Sequence, residues 1–444
     1  MMMKKTLWIG CGVIAALVVG WILFWPKSTA PKALTTSSRP TLWVLSDPHF
    51  IAPSLQDEGK AYTEIKQTAA GKDMDYQPQT IRAFVHAARQ ARPTAVVITG
   101  DLTFNGAKAS AESLAHRLAP LTQAGIKLLV IPGNHDIYDG WARKYQGSQQ
   151  IKVGQISPND WRQIWAESYQ YAASTDPASL SYRVNLNHDY QLLCLDSNNY
   201  PIQPSSQAPN TGGALSADTL KWLETQLLAG QRAHRQSLVF MHHNLYQHNA
   251  QVHQGFVLDN ATALKRLLDH YGVKIVFSGH IHAQDISHDP DGNSPITEIV
   301  SGSFATSPNG FGEVSLSPTG LTYHRQALDL SPVLTRQERR NPDLVHHQAY
   351  LKRLFEEDAQ PMAFAALAES KLPEKRLVAA TKLFGQLNWQ YFTGTNNPSA
   401  QALASLQASP DYQALWSSAD LRGYLKTIVV DKNVPDNVNF SETW

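Results

Sequence analysis

Residues 127–136 read KLLVIPGNHD, and this stretch decides the fold. Its first half, Lys127–Ile131, is a short apolar run, which predicts a buried strand. Pro132 ends the run, and the polar residues Gly133-Asn134-His135-Asp136 follow at once. Side chains that can do chemistry therefore stand at the carboxyl end of a strand, where open α/β sheets bind their ligands.

Four more predicted strands end in the same way. In each case a short apolar run is followed by Asp or His, and the runs and their endings are Leu42–Leu45 with Asp47-Pro48-His49, Ala95–Thr99 with Gly100-Asp101, Leu238–Met241 with His242-His243, and Val273–Phe277 with Gly279-His280-Ile281-His282. Each motif alone is a common turn or surface loop. Because all five follow strands, we expect their side chains to converge on one place.

The side chains of these endings are nitrogen and oxygen donors without a thiolate. Such a set suits Mn, Fe, Zn, Ni or Co. Two metal ions about 3.5–4 Å apart can stabilise both the attacking and the leaving oxygen of phosphoryl transfer. A carboxylate must then bridge the two ions, and Asp101 in its Gly-Asp turn is the natural candidate. The neighbouring glycines permit close approach of the backbone.

Helical patterns separate the strands, which predicts an α/β (α+β) body over residues 41–330. Apolar residues recur at helical spacing over Thr80–Arg89, and further helices are predicted at 108–124, 216–229 and 259–270. The stretch 294–327 has the pattern of strands joined by Gly and Pro turns. Residues 343–430 have apolar residues at helical spacing and no convincing strand, so we predict a separate all-α C-terminal domain over 340–444.

The N-terminus has the pattern of a membrane segment. Lys4 and Lys5 precede an uncharged apolar run from Leu7 to Trp25, close to the ~20 residues that span a bilayer as a helix. We predict a signal-anchor helix over 1–25 and a Pro- and Ser-rich linker over 26–40. The lysines place the body outside the cytoplasmic membrane, in a single-pass protein. The alternative is a cleaved signal peptide and a secreted protein.

Composition excludes several classes of protein. The 444 residues carry 38 Lys and Arg against 37 Asp and Glu, a net charge of +1, which excludes a broad nucleic-acid-binding surface. Two cysteines exclude a disulfide scaffold and a thiolate zinc framework. No feature of the sequence predicts a protein partner.

The ordered motifs resemble those of the calcineurin-like metallophosphoesterase family, over residues 41–328. That family shows Asp-x-His, Gly-Asp, Gly-Asn-His-Asp/Glu, His and Gly-His-x-His in this order. The wording GDLTFNG at 100–106 and GNHDIY at 133–138 is similar to exported Gram-positive cyclic-nucleotide-phosphodiesterase-like members with a helical C-terminal domain. The resemblance implies a β-sandwich of two mixed sheets flanked by helices.

The resemblance also implies a role for each motif residue. Asp47, His49 and His282 would hold one metal ion, with Asp101 as the bridge. The second ion would be held by Asn134, His280 and one histidine of the pair at 242–243, for which His242 is preferred but His243 stays open. His135 would donate a proton to the leaving oxygen or a hydrogen bond to the phosphate, and Asp136 would orient its imidazole.

Two residues that follow ligand motifs, Asn105 and Tyr138, are candidates for substrate binding, although each could equally serve its own loop. The expected activity is hydrolysis of a phosphoester by hydroxide attack on phosphorus with two metal ions, with Mn, Fe or Zn favoured. The leading hypothesis is a phosphodiesterase that acts outside the membrane, with a cyclic nucleotide as one candidate substrate. The alternatives are a phosphomonoesterase or nucleotidase, and a non-enzymatic metal-stabilised scaffold that binds a partner through its helical domain.

Overall fold

Two mixed β-sheets carry all the predicted strand ends. The computed structural model describes residues 32–431 and 433–444. In these parts of the chain the strands are β1 (Thr41–Leu45), β2 (Ala95–Thr99), β3 (Lys127–Ile131), β4 (Arg143–Gln146), β5 (Gln149–Lys152), β6 (Ser174–Thr175), β7 (Tyr182–Asn185), β8 (Tyr190–Cys194), β9 (Gln236–Phe240), β10 (Ile275–Ser278), β11 (Asp285–His288), β12 (Thr297–Val300), β13 (Gly310–Ser317), β14 (Gly320–Ala327) and β15 (Asn439–Thr443).

The strands that precede the ligand motifs are neighbours within each sheet: β1, β2 and β3 in the first sheet, with β3 at its edge, and β9 and β10 inside the second. The first sheet has the order β15-β14-β13-β1-β2-β3, and the second has the order β11-β12-β10-β9-β8-β7-β6. Strands β1, β2 and β3 run parallel, and so do β8, β9, β10 and β12. The hairpin β4-β5 stands apart from both sheets. The mixed β-sandwich that the resemblance implied is therefore the observed architecture.

Helices cover the outer faces of the sandwich. In chain order they are Lys60–Gln67, Gln77–Ala91, Lys108–Gln123, Pro158–Ile164, Ala166–Tyr169, Ala217–Arg232, Ala261–His270, Pro342–Val345, His347–Leu367, Glu374–Phe392, Ala400–Ala408, Pro410–Ser417 and Ala419–Ile428. One apolar core lies between the two sheets, and two further cores lie between a sheet and its helices. The remaining core belongs to the C-terminal helices and reaches Ile281, Ala283 and Val300 of the sandwich.

Strand β1 shows why the buried strands could be predicted from apolar runs in the sequence. Leu42 and Val44 face the core between the sheets, whereas Trp43 and Leu45 face the helical layer. A strand with both faces covered is a continuous apolar run, because no face is left for polar residues. The predicted strands Ala95–Thr99 and Lys127–Ile131 are confirmed with their bounds, and the other predicted core strands are confirmed with shifts of one or two residues at their ends.

The prediction of an all-α domain up to residue 444 is wrong at its end. The helices continue to Ile428, but β15 then returns to the first sheet and pairs antiparallel with β14. Its side chains are alternately exposed and half-buried, because β15 is the edge strand of the sheet. The sequence NFSET therefore lacks an apolar signal. The chain from Ala33 to Trp444 packs as one compact unit.

The predicted membrane segment over 1–25 lies outside the described residues, as does the start of the linker over 26–40. Both stay predictions. Among the residues that the structure does describe, no helix is both long enough and apolar enough to cross a bilayer.

A buried carboxylate ties the loop 68–76 to the C-terminal helices. Oδ1 of Asp73 accepts hydrogen bonds from the backbone N–H groups of Asp75 and Tyr76 and from the Tyr350 hydroxyl, at 3.1, 3.1 and 3.3 Å. Its Oδ2 has no hydrogen-bond partner among the described residues. His347 lies 3.8 Å from Oδ2, but burial lowers the pKa of that imidazole to about 4, so it brings no charge.

This carboxylate predicts a pH-dependent stability. Burial raises the pKa of Asp73 from its ordinary 3.8 to about 7. Between about pH 4 and pH 7 the folded protein therefore holds a proton that the unfolded chain releases, and the free energy of unfolding falls as the pH rises. Asp73→Asn removes this loss, which is on the order of a few kcal/mol. Thermal unfolding measured from pH 4 to pH 8 should show that the melting temperature of Asp73→Asn increases relative to that of the parent as the pH rises.

Asp75→Asn is the matched control for the loss of a negative charge, because Asp75 is more exposed and pairs with Lys66. A difference between Asp73→Asn and the parent that stays constant across the pH range would contradict this account.

Candidate metal centre

Four side chains from the first predicted group converge at one point. Asp47, His49, Asp101 and His282 each offer a ligand atom, and these atoms all lie within 4.8 Å of one another. The two imidazole Nε2 atoms of His49 and His282 are 2.9 Å apart. Nε2 of His282 lies 3.3 Å from Oδ1 of Asp47, and Nε2 of His49 lies 3.7 Å from Oδ2 of Asp101.

A second group shares Asp101 with the first. Asp101, His242 and His280 also offer ligand atoms within 4.8 Å of one another. Nε2 of His242 lies 3.5 Å from Oδ2 of Asp101 and 3.1 Å from Oδ1 of Asn134. The structure thus brings together all seven residues predicted as ligands, and it places the predicted bridging carboxylate between the two groups.

The backbone of this site is held in an unusual conformation. Five of the seven residues have positive φ, namely Asp47 (54°), His49 (42°), Asp101 (49°), His280 (67°) and His282 (63°). Left-handed backbone costs a non-glycine residue on the order of 1–3 kcal/mol and concentrates at functional sites. Here it turns each side chain back over the strand end toward the common point.

Two glycines make room for this convergence. A Cβ atom on Gly133 would lie 2.1 Å from the backbone nitrogen of Asp101, and one on Gly100 would lie 2.3 Å from Nδ1 of His242. Gly100 also has φ of +98°. The glycines in these two motifs are therefore required by close packing of one motif against another.

The pKa values follow from burial and from the central carboxylate. Burial first, and then Lys72, lower the pKa of His49 and His282, while burial and the neighbouring histidines lower the pKa of His280. Burial alone would lower the pKa of His242, but Asp101 outweighs it and raises the pKa to about 9. Neutral imidazole is the form that binds a metal ion.

The donor set fits two metal ions. Oδ1 of Asp47 is buried and has no hydrogen-bond donor among the described residues, although two imidazole nitrogens lie near it. A buried carboxylate oxygen without a donor is costly unless a cation takes the place of the donor. The nitrogen and oxygen donors of the two groups match divalent first-row metals rather than calcium.

The two neighbouring histidines have different surroundings. Nδ1 of His242 contacts the Thr99 carbonyl oxygen at 2.9 Å, which leaves its Nε2 facing Asp101 and Asn134. His243 uses both ring nitrogens in the fold, at 2.9 Å from Oγ of Ser197 and 3.0 Å from the Thr211 carbonyl oxygen. Burial lowers the pKa of His243 to about 3. The geometry therefore favours His242 as the ligand.

The prediction that Asp136 orients His135 is wrong. The Asp136 carboxylate accepts hydrogen bonds from the N–H groups of Leu102, Thr103 and Gly133 and from the Thr103 hydroxyl, at 2.9 to 3.1 Å. It therefore joins two ligand loops to each other. Its backbone position, directly after His135, turns its side chain into the fold.

Asp139 is the carboxylate that contacts the imidazole of His135. Its Oδ2 lies 3.3 Å from Nδ1 of His135, four residues earlier in the chain. This leaves Nε2 of His135 as the ring nitrogen available to a ligand. The His135 side chain is 24% exposed and lines a cavity beside the two groups. The sequence carried no signal for this contact, because i,i+4 spacing brings side chains together on a helix and residues 133–139 are not helical.

The two predicted substrate-binding residues lie elsewhere. Asn105 is buried and donates a hydrogen bond to the Tyr145 hydroxyl at 3.1 Å. Tyr138 lines a separate surface cavity together with Arg162 and Tyr200. Neither residue is part of the lining of the cavity at the ligand groups. Proximity in sequence to a ligand motif did not carry these side chains to the site.

A cavity of about 410 Å³ opens over the ligand groups, and the C-terminal helices form its far side. Asp101, Asn134, His135, His280 and His282 line one end. The other end is largely apolar and aromatic, and its residues include Phe355, Met362, Phe384, Tyr391, Phe392 and Tyr424. The C-terminal helical region therefore borders the site. Lys72, which carried no strand-end signal, also lines the cavity.

Comparison with protein families agrees with this geometry. The model described as "Calcineurin-like phosphoesterase" matches residues 40–284, more than half of the 444 residues. The chain belongs to the calcineurin-like phosphoesterase family. A second model, described as "C-terminal domain of cyclic nucleotide phosphodiesterase", matches residues 329–434.

Curated relatives of this phosphoesterase are distant. A "Probable cyclic nucleotide phosphodiesterase" from Vesicomyosocius okutanii subsp. Calyptogena okutanii (strain HA) is 27% identical over 188 residues, which are 42% of this chain and 61% of that protein. One of the same name from Ruthia magnifica subsp. Calyptogena magnifica is 26% identical over 189 residues, 42% of this chain and 62% of its own length. The matches thus span less than two thirds of either relative.

Solved structures with similarity include a dimetal phosphatase from Danio rerio. It has a TM-score of 0.49 and 17% identity, with 65% of this chain and 96% of that chain covered. A purple acid phosphatase from yellow lupin has a TM-score of 0.40 and 13% identity, with 67% of this chain and 53% of that chain covered.

The surroundings of the paired histidines predict a difference in metal content. His242→Ala should lower the bound metal from two ions to about one per chain, because it removes a donor from the second group. His243→Ala should keep both ions but lower the melting temperature, because it removes two buried hydrogen bonds of the fold. Elemental analysis and thermal unfolding of the same samples measure both effects. Metal loss in His243→Ala with full occupancy in His242→Ala would contradict this assignment.

The two carboxylates after His135 predict a second contrast. Asp136→Asn should lower the free energy of unfolding by about 1–3 kcal/mol, because an amide cannot accept all the hydrogen bonds of the carboxylate. Asp139→Asn should unfold near the parent temperature but lose about 10- to 100-fold in kcat, because His135 is no longer held. Denaturant unfolding and phosphoester kinetics measure the two effects. Equal stability loss in both variants would contradict the assignment.

Proposed function

We propose that this phosphoesterase hydrolyses a phosphodiester and that a 3′,5′-cyclic nucleotide is the substrate that best matches its cavity. One observation carries the proposal. The same cavity of about 410 Å³ has metal ligands at one end and aromatic side chains of the C-terminal helices at the other. A substrate that fills it therefore has a phosphate at one end and a flat, apolar group at the other.

The ligand end is suited to phosphoryl transfer. When bound there, two divalent ions of Mn, Fe or Zn would supply charge neutralisation at the phosphate and lower the pKa of an attacking water. The carboxylates of Asp47 and Asp101 and the imidazoles around them would hold this charge beside the scissile bond. Asn134 adds a neutral oxygen donor, 3.1 Å from Nε2 of His242.

His135 is placed to handle the proton of the leaving group. Asp139 holds Nδ1 of its ring, so Nε2 faces the cavity as the donor. In a cyclic nucleotide the bond from phosphorus to the sugar oxygen breaks, and that oxygen must take up a proton as the new bond from water forms. His135 would donate this proton from Nε2, and Asp139 would keep the ring in position through its contact with Nδ1.

The aromatic end is suited to a nucleobase. Phe384, Tyr391 and Phe392 bring flat rings to one wall of the cavity, and such rings bind bases by stacking. The names of the two curated relatives, and the description of the model that matches residues 329–434, point in the same direction. Action outside the cytoplasmic membrane is part of the proposal and is supported by the apolar run from Leu7 to Trp25.

The experiment compares diester and monoester hydrolysis by one sample. The full-length protein loaded with Mn²⁺ should cleave bis-p-nitrophenyl phosphate at least ~10-fold faster than p-nitrophenyl phosphate and should convert 3′,5′-cyclic AMP to a nucleoside monophosphate. Asn134→Ala should lower the diester rate by ~10²-fold or more, since a group that stabilises the transition state is worth that much.

Lys221→Ala, on an exposed helix surface, is the matched control and should match the parent. Faster cleavage of the monoester would favour a phosphomonoesterase or nucleotidase. A protein that binds two metal ions per chain yet cleaves no ester of either kind would favour the scaffold instead.

A further inference from the structure

Lys72 brings a positive charge into the cavity beside the ligand groups. Its ammonium group interacts electrostatically with Asp47 and Asp101, and it lowers the pKa of His49 and His282. The residue lines the same cavity as His135 and His282. Two metal ions in the neighbouring ligand groups would repel this ammonium group. Its position beside them therefore indicates a role in function.

The ammonium group of Lys72 makes only one hydrogen bond to the described residues. Among the described residues its one hydrogen bond goes to the Ala69 carbonyl oxygen, at 3.2 Å, and it has no ion pair within 4.0 Å. Other partly buried lysines of the chain are paired, such as Lys265 with Asp289 at 2.7 Å. An ammonium group has three donors, so two remain for an anion in the cavity.

The loop that carries Lys72 contains one strained residue, Ala70, since glycine adopts left-handed backbone without cost. Ala70 and Gly71 are both in the left-handed region, with φ of 53° and 73°. A Cβ atom on Gly71 would lie 2.5 Å from the ring of Phe355, so the helix His347–Leu367 packs directly on the backbone here. Such strain persists only where the surroundings impose it.

Further contacts fix the loop on both sides of Lys72. The Asp73 N–H donates to the Ala305 carbonyl oxygen at 2.7 Å, and Oδ1 of Asp73 accepts from Tyr350 at 3.3 Å. Asp358, on the same helix as Tyr350, lines the cavity together with Lys72, and the lysine opposes the rise that burial causes in the pKa of its carboxyl group. The C-terminal helical region therefore determines where the ammonium group lies.

We propose that Lys72 binds a non-bridging oxygen of the substrate phosphate and is a catalytic residue of this phosphoesterase. The assignment rests on the proposed function, because it needs a phosphoester in the cavity. A diester carries one negative charge, and the transition state of its hydrolysis carries about two. A fixed ammonium group at the phosphoryl oxygens therefore stabilises the transition state more than the ground state, and its removal should lower kcat more than it raises KM.

The test replaces the charge while keeping the length of the side chain. Lys72→Met, in the Mn²⁺-loaded full-length protein, should lower kcat/KM for bis-p-nitrophenyl phosphate about 10²- to 10³-fold, the loss typical of one such donor. Lys72→Arg should keep activity within about 10-fold of the parent, because it restores the cation. Lys60→Met is the matched control, since Lys60 is 76% exposed on a nearby helix and should have parental kinetics.

A binding measurement separates this proposal from the proposed function. Inorganic phosphate should raise the melting temperature of the Mn²⁺-loaded parent and of Lys72→Arg, and it should raise that of Lys72→Met much less, with metal content equal in all three. This arm decides the role of Lys72 even if the parent cleaves no ester, in which case the proposed function fails instead. Parental kcat/KM and phosphate binding in Lys72→Met would overturn the proposal. So would equal losses in Lys72→Met and Lys72→Arg, or loss of metal in either.

Discussion

The rest of the structure depends on the alignment of parallel strand ends in two facing sheets. Strands β1, β2 and β3 end at one edge of the first sheet, and β9 and β10 end at the matching edge of the second. The side chains after these ends have to share one small space, and Asp101 lies in the middle of it, in both groups of candidate ligands. Left-handed backbone, close glycine contacts and buried charge all follow from this shared space.

The C-terminal helices complete the site rather than standing beside it. They form the aromatic wall of the cavity, and the helix His347–Leu367 packs on the loop that carries Lys72. Their core continues into Ile281 and Ala283, next to two candidate ligands. A change in these helices can therefore alter both the shape of the cavity and the position of a charge at its ligand end.

Sequence reasoning succeeded where a residue's role is set by its own strand and failed where it is set by a distant one. The ligand motifs follow apolar runs, so both their presence and their common location could be predicted. Asp136 and Asp139 could not be assigned correctly, because the choice depends on which way each carboxylate turns after Gly133. His248 is a further example: it lies in a polar loop that follows His242-His243, which gives no sign of burial. Its side chain is nevertheless buried between Asp285 and Glu298, at 2.5 and 2.9 Å, and these carboxylates raise its pKa to about 10.

By itself, the sequence determined the α/β class, the positions of the core strands along the chain and the set of side chains at their ends. Local patterns carry this information, because a strand buried on both faces must be apolar and its polar ending must then face solvent or a ligand. Only the tertiary structure showed that His242 and His243 have different surroundings, that β15 joins the first sheet, and that Lys72 and the C-terminal rings lie at the cavity. Those outcomes depend on contacts between residues far apart in the chain, and such contacts leave no period or spacing in the sequence.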